Sequence, residues 1–332
     1  MIKKHRKDMF KKNQSRQKRL MKKKFLFSLG LTFLIIIIFE SGLIVGQYKI
    51  FPYYQIQYVK NIVMNKDQNK FSRYSESYRA RNIDVNELVE CPKNADLILI
   101  NGQSNAGSSV RANVVKSDLH VMYFNKNCYK LAEPVLGATG SMSSLTSELA
   151  SKIDTTKSII FVNNAWGGSS IKEWAAKDSK ISKYTNDNLK YLIANKKSKL
   201  KFFIWIHGED DSFSGINYID EFMNTKKNIF NKIAKKDLAN LITIISQTSI
   251  CYDTNQLKLK YGKKIFQGSP EDKNLTKQQK QIAIQLKNTE YISSDKYKSD
   301  YRYDGCHFNK FGINALTNDL SVIINSNVKK NN

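Results

Sequence analysis

The residues able to do chemistry sit at the ends of short apolar runs. Leu97-Ile98-Leu99-Ile100 breaks off at Asn101-Gly102, and Ser104 follows two positions later. A run this short and β-branched reads as a buried strand entering a tight turn. Gly102 is free to take backbone angles closed to other residues. A serine just past the carboxyl end of a buried strand stands where open α/β sheets place their ligands. An isolated Gly-x-Ser is ordinarily a turn that caps the next helix. Here, however, other apolar runs end in the same way. Ser158–Val162 leads into Asn163-Asn164-Ala165-Trp166-Gly167-Gly168-Ser169-Ser170-Ile171-Lys172-Glu173-Trp174, and Lys201–Ile206 leads into His207-Gly208-Glu209-Asp210-Asp211. Asp304-Gly305-Cys306-His307-Phe308 stands near the C-terminus. Converging on one edge of a sheet, these turns would gather a hydroxyl, imidazoles and carboxylates, the groups that activate an oxygen nucleophile.

The elements that must position them follow a strand, loop, helix rhythm from Ala95 onward. Strands are expected at Leu97–Ile100, His120–Phe124, Ser158–Val162, Lys201–Ile206 and Leu241–Ile245. Helices are expected at Ser144–Ile153, Tyr218–Lys235, Lys277–Lys287 and Lys310–Asn325. Strands alternating with helices predict an α/β protein with a parallel sheet covered on both faces. Residues 47–94 are polar, tyrosine-rich and weakly periodic, and read as a stalk or linker, with Asn82–Glu90 as a possible short helix. The domain that carries the chemistry is expected over residues 95–328.

The net charge of +25 resembles a nucleic-acid signal until it is divided. Residues 1–24 hold twelve Lys/Arg against one Asp, a net +11, and the other +14 is spread over 308 residues without a dense basic-aromatic block. No nucleic-acid partner is expected. The tail is explained by its neighbour, the apolar stretch at residues 25–46, about the ~20 residues needed to cross a bilayer. Its one charge, Glu40, lies past the midpoint, where an ionised group costs less than at the centre. Lys22-Lys23-Lys24 place the N-terminus in the cytoplasm by the positive-inside rule, and the tail would touch anionic head groups. A cleaved signal peptide is the rival, but the basic region is long for one and no small-x-small site comes after the apolar stretch. The expectation is a single-pass anchor in the cell membrane with the remainder extracytoplasmic.

The segments GQSN, WGGSSIKEW, WIHGEDD and DGCHF, in this order, resemble the SGNH hydrolases, specifically the sialate O-acetylesterase-like branch of the carbohydrate esterases. The resemblance covers roughly residues 95–325. It implies a flavodoxin-like three-layer α/β/α sandwich that removes acyl groups, usually acetyl, from a glycan with no metal and no cofactor. Carried over by position, Ser104 matches the nucleophile, His307 the general base and Asp304 the carboxylate that orients it. Glu209, matching the family's Glu, is the alternative carboxylate. Histidine scarcity agrees: of four, His5 is in the tail and His120 begins an expected strand. Only His207 and His307 stand in the blocks.

Acyl transfer also needs donors aimed at the developing oxyanion. The resemblance implies the N–H of Ser104 and that of a glycine, with Gly140 preferred over Gly137 because a helix is expected just after it. The branch has glutamine before its Gly-Glu. This chain has His207, whose ring N–H is expected to replace it as the third donor. Cys91, Cys128, Cys251 and Cys306 permit disulfides in three connectivities, and their spacing does not suggest zinc. The expected partners are an acylated glycan and a membrane. An O-acetyltransferase and a non-catalytic glycan-binding module are the other readings of the same blocks.

Overall fold

The alternation in Leu97–Ile100 sets the architecture. The computed structural model describes residues 30, 40, 87–115, 117–212, 214–248, 272–293 and 299–329, and the fold belongs to the unit Gln68–Asn332. Strand β2 (Asp96–Gly102) sends Leu97 and Leu99 to one face of a sheet and Ile98 and Ile100 to the other. All four are fully buried, so truncating any one would cost about 2–5 kcal/mol. Helices α1 (Thr146–Ala150) and α7 (Lys310–Lys329) close the Ile98 face through Leu149, Ile313, Leu316 and Leu320. On the Leu97 face lie α2 (Ile171–Ala175), α3 (Lys180–Lys196), α4 (Tyr218–Ile229) and α6 (Lys273–Gln285), with Trp174, Leu189, Phe222 and Leu275 pointing inward. A short helix, α5 (Lys235–Leu238), precedes the strand at Ile242.

Among the described residues eight strands make the sheet: β1 (Leu88–Val89), β2, β3 (Ser117–Phe124), β4 (Asn127–Leu131), β5 (Ile159–Asn163), β6 (Lys199–Ile206), β7 (Ile242–Ser246) and β8 (Thr289–Ile292). Their order is β1-β4-β3-β5-β2-β6-β7-β8. The parallel strands stand in the order β3-β5-β2-β6-β7-β8; leaving aside β3, the other five follow in chain order the 2-1-3-4-5 of flavodoxin-like sheets, with β3 added beside β5. The order reverses beside β2, where such sheets place their sites.

The sheet departs from the expected all-parallel form at one edge. Strand β4 runs antiparallel to β3, and β1 antiparallel to β4. The cause is a two-residue hairpin at Asn125 and Lys126, whose φ values of 51° and 68° turn the chain straight back. Leu88 and Val89 pair with Tyr129 and Cys128, and a Cys91–Cys128 disulfide ties the same segment down. Two residues expected in a short helix are therefore strand, and the sheet begins inside the stretch read as stalk. Helix α3, not expected, keeps Ser182, Thr185, Asn186 and Asn188 buried between Ile181, Leu189 and Leu192. Those polar residues break its apolar period. The helix expected over Tyr218–Lys235 ends at Ile229, ahead of Lys232 with φ 61°.

Among the described residues no helix is long and apolar enough to cross a membrane. The expected basic tail at 1–24, the expected anchor at 25–46 apart from Gly30 and Glu40, and residues 47–86 of the stalk expected over 47–94 lie outside them.

Candidate active site

The turn after β2 is shaped by contact with β6. Gly102 has φ 139°, and a Cβ there would stand 1.9 Å from the Ile206 carbonyl oxygen, so only glycine fits. Gln103 then donates its N–H to the same carbonyl at 2.9 Å. Its side chain binds the neighbouring turns to this one. Nε2 donates to the Ser169 carbonyl at 2.5 Å, while Oε1 accepts from the N–H groups of Gly208 (3.0 Å), Glu209 (2.8 Å) and Asp210 (3.4 Å). Asn105 does the same on the other side of Ser104. Its Oδ1 accepts from the Phe308 N–H at 3.0 Å, and its Nδ2 donates to Glu209 Oε1 at 2.9 Å and to the Cys306 carbonyl at 3.3 Å. Both amides are buried, at 2% and 0% exposure, where unmet donors would be costly. Sequence reading passed over both as flanks of Ser104; their place beside it between three turns was the available signal.

The Asp304–His307 segment is a turn folded around its own carboxylate. Asp304 Oδ1 accepts from the N–H groups of Cys306 (2.9 Å) and His307 (2.7 Å), Gly305 takes φ 88°, and the Tyr303 N–H donates to the His307 carbonyl. The other carboxylate oxygen is left for the imidazole: His307 Nδ1–H donates to Asp304 Oδ2 at 2.7 Å. An ionised carboxylate only accepts, so Nδ1 carries the proton and Nε2 is the free acceptor. Nε2 faces Ser104, and the Ser104 hydroxyl donates to it at 2.9 Å. Partial burial pushes the Asp304 carboxyl up, but the hydrogen bonds from His307 and Cys306 outweigh it and hold the group below the usual carboxylate value. Ser104, His307 and Asp304 thus form one continuous hydrogen-bonded chain.

Glu209 is not in that chain; its Oε1 engages Asn105. His207 departs from its expected place. Its side chain is fully buried, stacked 4.7 Å from the Trp205 ring, and both ring nitrogens are engaged. Nε2–H donates to the Ser169 carbonyl at 3.1 Å, and Nδ1 accepts from the Tyr218 hydroxyl at 3.1 Å. No ring N–H remains for an oxyanion at Ser104. Burial drives its pKa from 6.5 down to about 3, against the hydrogen bond to Ser169, so the 3.5 Å approach to Asp211 is not an ion pair. Asp211 instead accepts from the Ile171 N–H at 2.9 Å, a carboxylate at the start of α2.

The Ser104 N–H has no acceptor among the described residues. Gly140 has φ 111° and forms a bridge with Ser108, where a Cβ would meet the Ser108 carbonyl oxygen at 2.0 Å. Gly137 packs instead on the Asn163 carbonyl. The glycine against Ser104 itself is Gly167, where a Cβ would lie 3.6 Å from the Ser104 Cβ, and its N–H donates to Thr139 Oγ1 at 2.7 Å. The rim is aromatic and basic. Tyr303 stacks on His307 with centroids 5.9 Å apart, and the exposed Arg111 guanidinium sits 4.2 Å from the Tyr303 centroid. His120 is buried in the sheet and accepts from the Ile159 N–H at 3.3 Å. Among the described residues no group of three or more His, Cys, Asp or Glu side chains is placed to hold a metal.

A family model of carbohydrate esterases, the sialic acid-specific acetylesterases, matches residues 94–323. No curated protein matches the sequence. Among solved structures, one protein from Arabidopsis thaliana superposes with a TM-score of 0.54 at 16% identity, over 71% of this chain and 99% of its own. NanS superposes with a TM-score of 0.51 at 11% identity, over 73% of this chain and 100% of its own. At these identities the two structures establish the fold alone. The family match spans more than two thirds of the chain: the protein belongs to the sialic acid-specific acetylesterase family of carbohydrate esterases and is a carboxylic ester hydrolase.

Proposed function

We propose that the protein is a serine O-acetylesterase that acts on an acetylated glycan outside the cytoplasm, with Ser104 as nucleophile, His307 as base and Asp304 as orienting carboxylate. The observation that carries this reading is the unbroken path from Ser104 Oγ through His307 to Asp304, with contacts of 2.9 and 2.7 Å. A serine hydroxyl is a weak nucleophile until an imidazole takes its proton. In this geometry Nε2 removes the proton as Oγ attacks the acetyl carbonyl, and the imidazolium that forms is stabilised by Asp304. The same proton goes to the departing sugar oxygen. Water, deprotonated by His307 in turn, then releases acetate from Ser104.

The oxyanion would be met by the Ser104 N–H, with the Gly140 N–H as the second donor and no part for His207. A sugar bearing a carboxylate suits the rim, since Arg111 presents a cation beside Tyr303 and the His307 ring. The family's sialic acid specificity points the same way. Residues 25–46 would hold the enzyme in the cell membrane, N-terminus inside, and the basic tail is placed to meet lipid head groups.

Full-length protein in mild detergent should release acetate from 4-nitrophenyl acetate and from O-acetylated sialic acid. Ser104→Ala should lower kcat by several orders of magnitude without changing the thermal midpoint. Undiminished turnover in that variant would overturn the assignment. Transfer of the acetyl group to an added sugar in place of acetate release would make the enzyme an acetyltransferase. Protease added to intact cells should reach residues 95–332, and a shortened protein in the medium would show residues 25–46 to be a cleaved signal.

A further inference from the structure

Arg302 is an ill-suited residue for its place unless it serves the site. It is only 7% exposed, its guanidinium lies 4.2 Å from the centre of the Phe308 ring, and its Nε and Nη2 have no partner among the described residues. Burying a guanidinium with donors unmet is unfavourable, and an apolar side chain on Phe308 would avoid that. The one hydrogen bond it makes within the described structure goes from Nη1 to the Cys306 carbonyl. That carbonyl lies inside the Asp304–His307 turn and also accepts Asn105 Nδ2, from the residue next to Ser104. The backbones of Arg302 and Phe308 pair across the base of the same turn.

We infer that Arg302 is a positioning residue for His307: it grips the Cys306 carbonyl from behind and places a fixed positive charge under the Asp304–His307 turn. The inference rests on the proposed roles of Ser104, His307 and Asp304. The grip sets where the turn sits relative to Ser104, because Asn105 and Arg302 both donate to the same carbonyl. The charge acts on both carboxylates in reach, Asp304 and Glu209. Burial lowers the guanidinium pKa to about 10, which leaves it charged throughout the working pH range, and Glu209 and Asp304 oppose that shift. Among the described residues, Tyr303 stacks on the His307 ring and the Arg111 guanidinium lies over Tyr303. Cys306 is disulfide-bonded and does not titrate.

A cation near His307 disfavours the imidazolium, so removing it makes the ring easier to protonate and moves the acid limb of kcat/KM to higher pH. The test compares Arg302→Gln, which keeps a donor for the carbonyl and loses the charge, with Arg302→Lys, which keeps the charge. Both are made in the full-length protein and assayed with 4-nitrophenyl acetate from pH 4 to 9 beside the wild type. Arg302→Gln should shift the acid limb upward and lower kcat about tenfold or more, with KM little changed. Arg302→Lys should leave the limb where it is and retain more of kcat. Folded variants with unmoved limbs, or equal kcat losses in both without a shift, would overturn the inference. So would a Lys variant that fails to fold, since that assigns Arg302 to the fold. A wild type that stays active as Ser104→Ala is instead a failure of the catalytic reading.

Discussion

Two histidines stand at two turns of this fold, and their surroundings make opposite use of the same ring. His207 ends a buried strand, and its neighbours saturate it: Trp205 lies on its face, Ser169 and Tyr218 take its nitrogens, and burial holds it neutral down to about pH 3. His307 sits on a surface turn, 24% exposed, with one nitrogen fixed by Asp304 and the other left facing Ser104. A ring that bridges a carbonyl and a hydroxyl in the core is a structural tie. A ring with one oriented N–H and one free acceptor is able to move a proton. What separates the two is the number of partners the fold supplies.

Replacing each ring by glutamine should separate them by the largest margin. His307→Gln should lower kcat about 10⁴-fold or more, as losses within a serine triad do, and leave stability nearly unchanged. His207→Gln puts back the family residue and should keep kcat within about tenfold. A comparable catalytic loss at both positions would break the comparison and return His207 to the oxyanion.

The two carboxylates sharpen it next. Asp304→Asn should keep the turn but favour the wrong imidazole tautomer, with a loss of about 10⁴ in kcat. Glu209→Gln should cost far less, because Glu209 meets Asn105 and not the ring. Steady-state kinetics of both variants on one acetyl ester decides between them, and a larger loss at Glu209 would reverse the roles.

A smaller effect lies in stability against pH. Between its ordinary value of 6.5 and about 3, His207 is neutral in the native protein and protonated in the unfolded chain. The unfolded state therefore binds more protons there, and stability falls as the pH falls through that window, by up to about 1.4 kcal/mol per unit. Above pH 6.5 this group adds no slope. His207→Gln should flatten the acid side of the curve in denaturant titrations at pH 4, 5 and 6; an unchanged slope would mean that His207 is not held neutral.

Much of this was legible in the chain because strands buried on both faces write themselves as short aliphatic runs. Leu97–Ile100, Ser158–Val162, Lys201–Ile206 and Leu241–Ile245 each lie in or within one residue of a strand. The blocks at the ends of three of them, with the terminal Asp-x-x-His, brought Ser104, Asp304 and His307 forward together. Helix α3 was hidden by its buried Ser, Thr and Asn, and β4 by a hairpin turn of Asn and Lys without glycine. Strand β1 depends on a disulfide partner 37 residues away, which no local pattern reveals. The misplacement of His207 has a similar cause. Its position after β6 matched a donor, but Tyr218 and Ser169, which occupy its nitrogens, come from distant parts of the chain. Gln103 and Asn105 were visible as letters of a motif, while their partners existed only in three dimensions.

The central claim is that the acetyl group passes through Ser104 under the control of His307 and Asp304. The most direct measurement is peptide mass spectrometry of the Asp304→Asn enzyme, quenched in acid during turnover of 4-nitrophenyl acetate, when slow proton transfer should let the acyl-enzyme accumulate. One acetyl adduct on the peptide containing Ser104, absent in the Ser104→Ala,Asp304→Asn double variant, is the predicted result. Steady acetate release by the Ser104→Ala enzyme, with the adduct on another residue or on none, would contradict it.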